Sequence, residues 1–249
     1  ISKLGLNAAL NTLFLKTLRY QFMAQNIVPI NPESAILAIA NATQDNPIII
    51  DFDETLLLRN STAEYINSLR PRWIGFILIM LLKIIRPWCW LPGSLRGNQT
   101  KDWYLVTIPS ILLPWTLLLW QQRAKKLAQE YSNTEIIDAV NSNTDAPVIV
   151  ASLGFNLIIT PILQHMPMRW DSLVGCRFWS GASDRQQGKL LMMQKVLSPS
   201  AITSAVLVTD SEDDLGLLQV VEQPCFVLWS AAKYVDPFHD FWLDALVKK

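Results

Sequence analysis

The chain has 249 residues, 51% of them hydrophobic and 17% charged, with 21 basic side chains balancing 21 acidic ones. It is too apolar for a disordered segment, and its charged fraction lies below the roughly 25% usual in soluble domains. Zero net charge gives no global electrostatic reason to bind nucleic acid; three scattered cysteines (Cys89, Cys176, Cys225) without a C-x-x-C pair argue against a disulfide or cysteine–zinc framework and fit a reducing compartment.

From Ile1 to Val28, Leu4, Ala8, Leu15 and Phe22 are among the apolar positions of a helical pattern with Lys and Arg interspersed. The short apolar block and small-residue cleavage site of a secretory signal are missing from it. A helical extension is expected over 1–45, with a second short helix near Glu33 to Ala40. Asn46-Pro47-Ile48-Ile49-Ile50-Asp51 then reads as a buried strand ending on a carboxylate. Pro147 to Ser152 and Ala205 to Asp210 repeat that form, and Pro224 to Trp229 lacks only the polar end. Helical patterns separate these runs at Phe155 to Gln164, Lys189 to Leu197 and Asp213 to Val221. The expected class is α/β, a Rossmann-like parallel sheet covered by helices.

Between the first two strands lies an insertion, residues 57–144, of different composition. Leu69 to Lys126 holds nine basic residues against one acidic, Asp102, and six of the ten tryptophans. Trp103 to Trp120 carries no charge over eighteen residues, and Trp73 to Ile85 is apolar except for Lys83. A single helix over Trp103 to Trp120 would reach about 27 Å, short of a roughly 30 Å hydrocarbon core. Pro109 and Pro114 should also kink or break it. Three arrangements satisfy this composition: a surface lying on or dipping into an anionic leaflet, a helical hairpin across the bilayer, or a soluble helical module that buries its own Trp and Leu.

Ligand sites of open parallel sheets lie beyond the carboxyl ends of the strands, where Asp51, Ser152 and Asp210 all fall. Each alone is an ordinary turn former after a strand; three at one edge are not so easily dismissed. Asp51-Phe52-Asp53 can present one carboxylate from the strand and one from the loop, the need of a nucleophile paired with a general acid and base. Asp210-Ser211-Glu212-Asp213-Asp214 brings further acids to that edge, where uncompensated repulsion calls for a cation. Hard oxygen donors without His or Cys suit magnesium. Lys189 is the candidate positive side chain. His165 and His239 are far apart, and neither a phosphate-binding glycine loop nor a nucleophile elbow occurs.

This ordered set, Asp51-x-Asp53-x-Thr55, Ser152, Lys189 and Asp210-x-x-Asp213-Asp214, resembles the motifs of the haloacid dehalogenase-like (HAD) phosphatase superfamily over residues 46–56 and 147–229. The last motif is similar to that of the phosphoserine phosphatase-like branch, and the insertion stands where that family places a type 1 cap. A looser likeness joins the Trp-rich cap to HAD domains associated with polyprenyl-group enzymes of membranes. The resemblance implies an aspartyl phosphate on Asp51, acid–base work by Asp53, and phosphoryl binding by Ser152 and Lys189, with Thr55 beside them. It also implies magnesium on Asp51, Asp210 and the backbone carbonyl of Asp53, with Asp213 or Asp214 completing or orienting the shell. Two positions depart from the commoner pattern: Glu54 and Thr209 stand where Gly is frequent. The expected organisation is a core over 46–56 and 145–232, a helical cap over 57–144, and an amphipathic tail over 233–249. The expected activity is a magnesium-dependent phosphatase acting on a phosphomonoester with a hydrophobic or lipid-linked body. An idle membrane-bound adaptor and a phosphotransferase using the same aspartyl phosphate are the alternatives. The expected setting is cytoplasmic, on or in the inner face of a membrane.

Overall fold

Strand β1 (Ile48–Asp51) is fully apolar up to its last residue, with Ile48, Ile49 and Ile50 completely buried, as suits the middle of a two-sided sheet. The structure, a computed structural model, describes residues 28–235 and 237–238. The expected N-terminal helix over Ile1 to Val28, except Val28 itself, and the tail beyond Phe238, with His239, Phe241, Trp242 and Leu246, lie outside the described residues.

In the described residues five strands form one parallel sheet in the order β3-β2-β1-β4-β5. The others are β2 (Val148–Phe155), β3 (Ser172–Cys176), β4 (Val206–Thr209) and β5 (Gln223–Phe226). The chain is therefore a Rossmann-like α/β protein. The winding reverses between β1 and β4, so a crevice opens beyond their carboxyl ends. β1 pairs with β2 as far as Asp51 beside Ala151. β2 runs three residues past Ser152, and its pairing with β3 slips between Ala151 and Phe155. β3 has no counterpart among the expected strands: its Ser-Leu-Val-Gly-Cys run is short, half-buried and lies on the sheet edge.

Helix α1 (Pro32–Ala40) starts where Asn31 accepts the Ser34 N–H at 2.9 Å and Pro32 presets the first turn. The segment between β1 and β2 is helical: α2 (Ser61–Asn67), α3 (Arg72–Ile85), α4 (Pro87–Trp90), α5 (Lys101–Leu112), α6 (Trp115–Tyr131) and α7 (Thr134–Ser142). Trp103 to Trp120 is not one helix, because α5 and α6 meet at 117°. The break falls at Leu113 (φ −127°, ψ 58°), the residue before Pro114, where helical backbone is sterically disfavoured; Pro109 is accommodated inside α5. The tryptophans divide. Trp120 is buried and donates to the Ile158 carbonyl at 3.0 Å, and Trp88 is buried, whereas Trp73, Trp90 and Trp115 are exposed.

After β2 come α8 (Asn156–Leu163), which packs on α6, and α9 (Gly181–Met193), which crosses β2 and β3. α9 begins eight residues before the Lys189 start expected from the sequence. It is kinked at Gly188 (φ 76°), a left-handed conformation that glycine adopts at little cost. α10 (Pro199–Thr203) precedes β4, and α11 (Leu215–Leu218) follows it.

Candidate active site

Four carboxylates and one ammonium meet beyond the ends of β1 and β4. Asp51, the last residue of β1, is almost fully buried, and its Oδ1 accepts from Lys189 Nζ and from the Phe52 N–H, both at 2.7 Å. Lys189 arrives from α9 just past the Gly188 kink and also binds Asp214 Oδ2 at 2.7 Å. Burial works against its ammonium, but Asp214 and Asp51 outweigh that effect and hold the Lys189 pKa above its ordinary value.

Asp53 stands on the loop after β1, its Oδ1 fixed by the Ser61 N–H at 2.6 Å where α2 begins. Burial pushes its pKa up to about 7, the range in which a carboxyl can both give and take a proton near neutrality. Glu54 has φ 62°, the left-handed region, which gives a physical reason why glycine suits this place. Thr55 Oγ1 donates to Asp210 Oδ1 at 2.8 Å and accepts the Asp210 N–H at 3.1 Å, tying the β1 loop to the end of β4. Burial, then the Asp51 charge, raises Asp210 to about 8. Asp214 is raised as well, by burial and Asp51 against the lowering influence of Lys189. With these carboxyls ionised, one ammonium would not compensate their buried charge, which is why their protons are held so firmly.

Ser152 lies one residue past the level of Asp51, and its Oγ accepts the Gly154 N–H at 2.8 Å, which leaves its own proton for a ligand. A Cβ built on Gly154 would meet Ile159 Cδ1 at 2.8 Å, Ser152 Oγ at 3.1 Å and Asp53 Oδ2 at 3.2 Å, so only a residue without a side chain leaves the space beside the Ser and the second Asp open. Asp213, by contrast, is exposed, its N–H bonded to Ser211 Oγ at 3.2 Å, so Asp214 alone of that pair belongs to the cluster.

Three contributors were not singled out from the sequence. Thr209 donates to Asp214 Oδ2 at 2.6 Å and lies 3.2 Å from Asp51 Oδ2; in the sequence it stands out only as a departure from Gly. Asn133 caps α7 and donates to the Thr55 carbonyl at 3.0 Å, holding the β1 loop from the inserted segment. Gly154 is invisible without the fold.

The inserted segment reaches the same rim. Arg185 donates to the Leu153 carbonyl at 2.6 Å, to the Gln99 carbonyl, and to Asp102 Oδ2 at 2.8 Å. Trp103 Nε1 donates to the Phe178 carbonyl at 2.8 Å.

A divalent cation fits these residues in part. Asp214 Oδ1 is buried without a partner, and the donors are hard oxygens in an excess of negative charge. Among the described residues, however, no three Asp, Glu, His or Cys side chains form a ready metal cage. The expected shell of Asp51, Asp210 and the Asp53 carbonyl, with Asp213 or Asp214 completing or orienting it, asks for few side chains: Asp53 Oδ1 is taken by Ser61, and Lys189 lies between Asp51 and Asp214. Magnesium needs only one or two carboxylates, with water and phosphate oxygens completing its shell.

No protein-family model and no curated protein sequence matches the chain. Among solved structures it is similar to a protein of unknown function from Bordetella pertussis Tohama I. That similarity has a TM-score of 0.50 at 14% identity and covers 83% of this chain and 96% of that one. It is similar more distantly to a HAD family hydrolase from Salmonella enterica subsp. enterica serovar Typhi, with a TM-score of 0.39 at 9% identity over 84% of this chain and 68% of that one. The first likeness shows the fold.

Proposed function

We infer that the chain is a magnesium-dependent phosphatase of the HAD type, working through an aspartyl phosphate on Asp51. The observation that carries this reading is the pairing of Asp51, held by Lys189 and Thr209, with Asp53 two residues on, whose pKa is raised to about 7.

Asp51 Oδ2, the oxygen with only the longer contact to Thr209, attacks phosphorus while the bond to the leaving oxygen breaks. Asp53 gives its proton to that oxygen and the alcohol departs. Asp53, now a carboxylate, takes a proton from water as the water attacks the phosphoryl group, freeing inorganic phosphate and restoring Asp51. The Ser152 hydroxyl and the Lys189 ammonium bind the equatorial oxygens, where charge accumulates in the transition state. Asp51, Asp210 and the Asp53 carbonyl are the ligands proposed for magnesium, with Asp214 orienting Lys189 through Oδ2 and its unpartnered Oδ1 left to complete the shell. Bound there, the ion would supply the positive charge that the cluster lacks.

The substrate proposed is a phosphomonoester with a hydrophobic body. Support comes from the apolar insertion, which Arg185, Trp103 and Asn133 fasten to the rim of the crevice. The test is a panel of aryl, short-alkyl and long-alkyl phosphates with and without magnesium. Magnesium-dependent turnover that rises with chain length and is abolished in Asp51→Asn is expected. Turnover that persists in Asp51→Asn would overturn the catalytic assignment, and indifference to chain length would overturn the substrate class alone.

A further inference from the structure

The inserted segment carries an apolar surface that the core does not use. On α3, Trp73, Ile77, Leu81 and Ile84 fall on one face and are exposed, while Gly75, Ile79 and Leu82 occupy the opposite face and are buried. At the elbow between α5 and α6, Ile111, Leu112, Trp115 and Leu118 are exposed too. The two regions adjoin, since α3 packs on α5 and Trp115 Nε1 donates to the Arg70 carbonyl just ahead of α3. Eight large apolar side chains, each between 45% and 75% exposed, thus stand together, a grouping of the kind that marks an interaction surface, unlike the single exposed apolar residues of an ordinary monomer.

Charge decides what covers it. Arg70 and Arg86 stand exposed at the two ends of the α3 stripe, and no acidic residue occurs between Leu69 and Lys101. Neither pairs with a carboxylate among the described residues. A second copy of the same face would bring like charges together. A bilayer with anionic headgroups satisfies both halves, taking the apolar stripe into its acyl boundary and the cations at its phosphates.

The geometry is that of a surface lying flat. Arg72–Trp90 is apolar enough to be a candidate span, with a mean hydropathy of 1.6. But α3 itself would extend about 21 Å, short of a ~30 Å hydrocarbon core. The helix ends at Arg86 in a left-handed conformation (φ 49°), and its inner face is closed so tightly that a Cβ on Gly75 would meet Leu69 Cβ at 2.6 Å. The 117° bend leaves α5 and α6 no straighter route.

We propose that the outer face of α3 and the α5–α6 elbow dock in the plane of an anionic bilayer, with Trp73, Ile84, Trp115 and Leu118 entering the acyl boundary. The docking stands on this surface alone and does not depend on the reaction catalysed at the strand ends.

The test is co-sedimentation of the full chain with phosphatidylcholine vesicles, with and without phosphatidylserine. Binding to the phosphatidylserine vesicles that weakens with salt is expected. Arg70→Gln and Arg86→Gln should each lower it about fivefold on the anionic vesicles and leave the neutral ones unaffected. Ile84→Glu with Leu118→Glu should lower it at least about tenfold, with an unchanged thermal midpoint showing that the fold is intact. No binding by the parent chain, equal binding by the glutamate variant, or a lipid-free dimer that shields the exposed tryptophans from a soluble quencher would each overturn the proposal.

Discussion

Replacing Lys189 with Met keeps most of the aliphatic stem and removes the one cation shared by Asp51 and Asp214. Both contacts are 2.7 Å, and all three side chains are nearly inaccessible, at 3% exposure for Lys189 against 6% and 0% for its partners. At an effective dielectric near 20, each contact is worth about 6 kcal/mol of Coulomb attraction before desolvation is subtracted. Measured losses on breaking buried pairs are about 3–5 kcal/mol, because the abandoned charges remain buried. For a chain of this size that corresponds to roughly 6–20 °C in Tm. The assay is urea unfolding of the parent, Lys189→Met, and Lys189→Met with Asp214→Asn. The account expects the single variant to lose about 3–5 kcal/mol and the double variant to regain a good part of it, since one buried charge has been removed with its partner. A single variant within about 0.5 kcal/mol of the parent would refute the idea that Lys189 is the counter-charge of the cluster.

Because burial holds Asp53 near 7 and the proton must be present to leave with the alcohol, hydrolysis of an alkyl phosphate should fall as pH rises through about 7. A nitrophenyl phosphate, whose leaving group needs no proton, should fall less; identical profiles would speak against Asp53 as the acid. Gly154→Ala places a methyl 2.8 Å from Ile159 Cδ1, the movable end of a side chain, and 3.1–3.2 Å from Ser152 Oγ and Asp53 Oδ2, and should cut turnover by roughly 10²-fold while circular dichroism stays that of the parent. Unchanged turnover there would mean that the two groups do not share a substrate. Arg185→Met removes charge-assisted bonds to Leu153, Gln99 and Asp102 and should cost about 1.5–3 kcal/mol. Proteolysis should then quicken within residues 91–102, and an unchanged digestion pattern would show that the clasp does not hold that segment.

The strands that carry the chemistry were legible because buried parallel strands announce themselves as β-branched runs, and those at Ile48–Ile50, Val148–Val150 and Val206–Val208 each lead within two residues to a polar residue of the cluster. β3 was not legible: half-exposed and interrupted by Gly175, it owes its strand form to pairing with β2 and has no periodic pattern of its own. The start of α9 was lost for the opposite reason, since Gly181 to Gly188 is polar and ends in a kink, and only Lys189 onward shows an apolar pattern. Asp51, Asp53, Thr55, Lys189, Asp210 and Asp214 were recoverable because each acts through its own charge or hydroxyl. Gly154 and Asn133 act through space left open and a carbonyl held in place, and neither property is written in residue type. Thr209 is intermediate: its hydroxyl bridges two carboxylates, a role that only the adjacency of β1 and β4 creates.

Mass spectrometry of enzyme quenched in acid during turnover of an aryl phosphate addresses the nucleophile itself. A phosphoryl group on the peptide containing Asp51, formed only with magnesium and absent in Asp51→Asn, is the predicted result. A phosphoryl group on any other residue, or steady turnover with Asp51 never modified under rapid quench, would contradict the account.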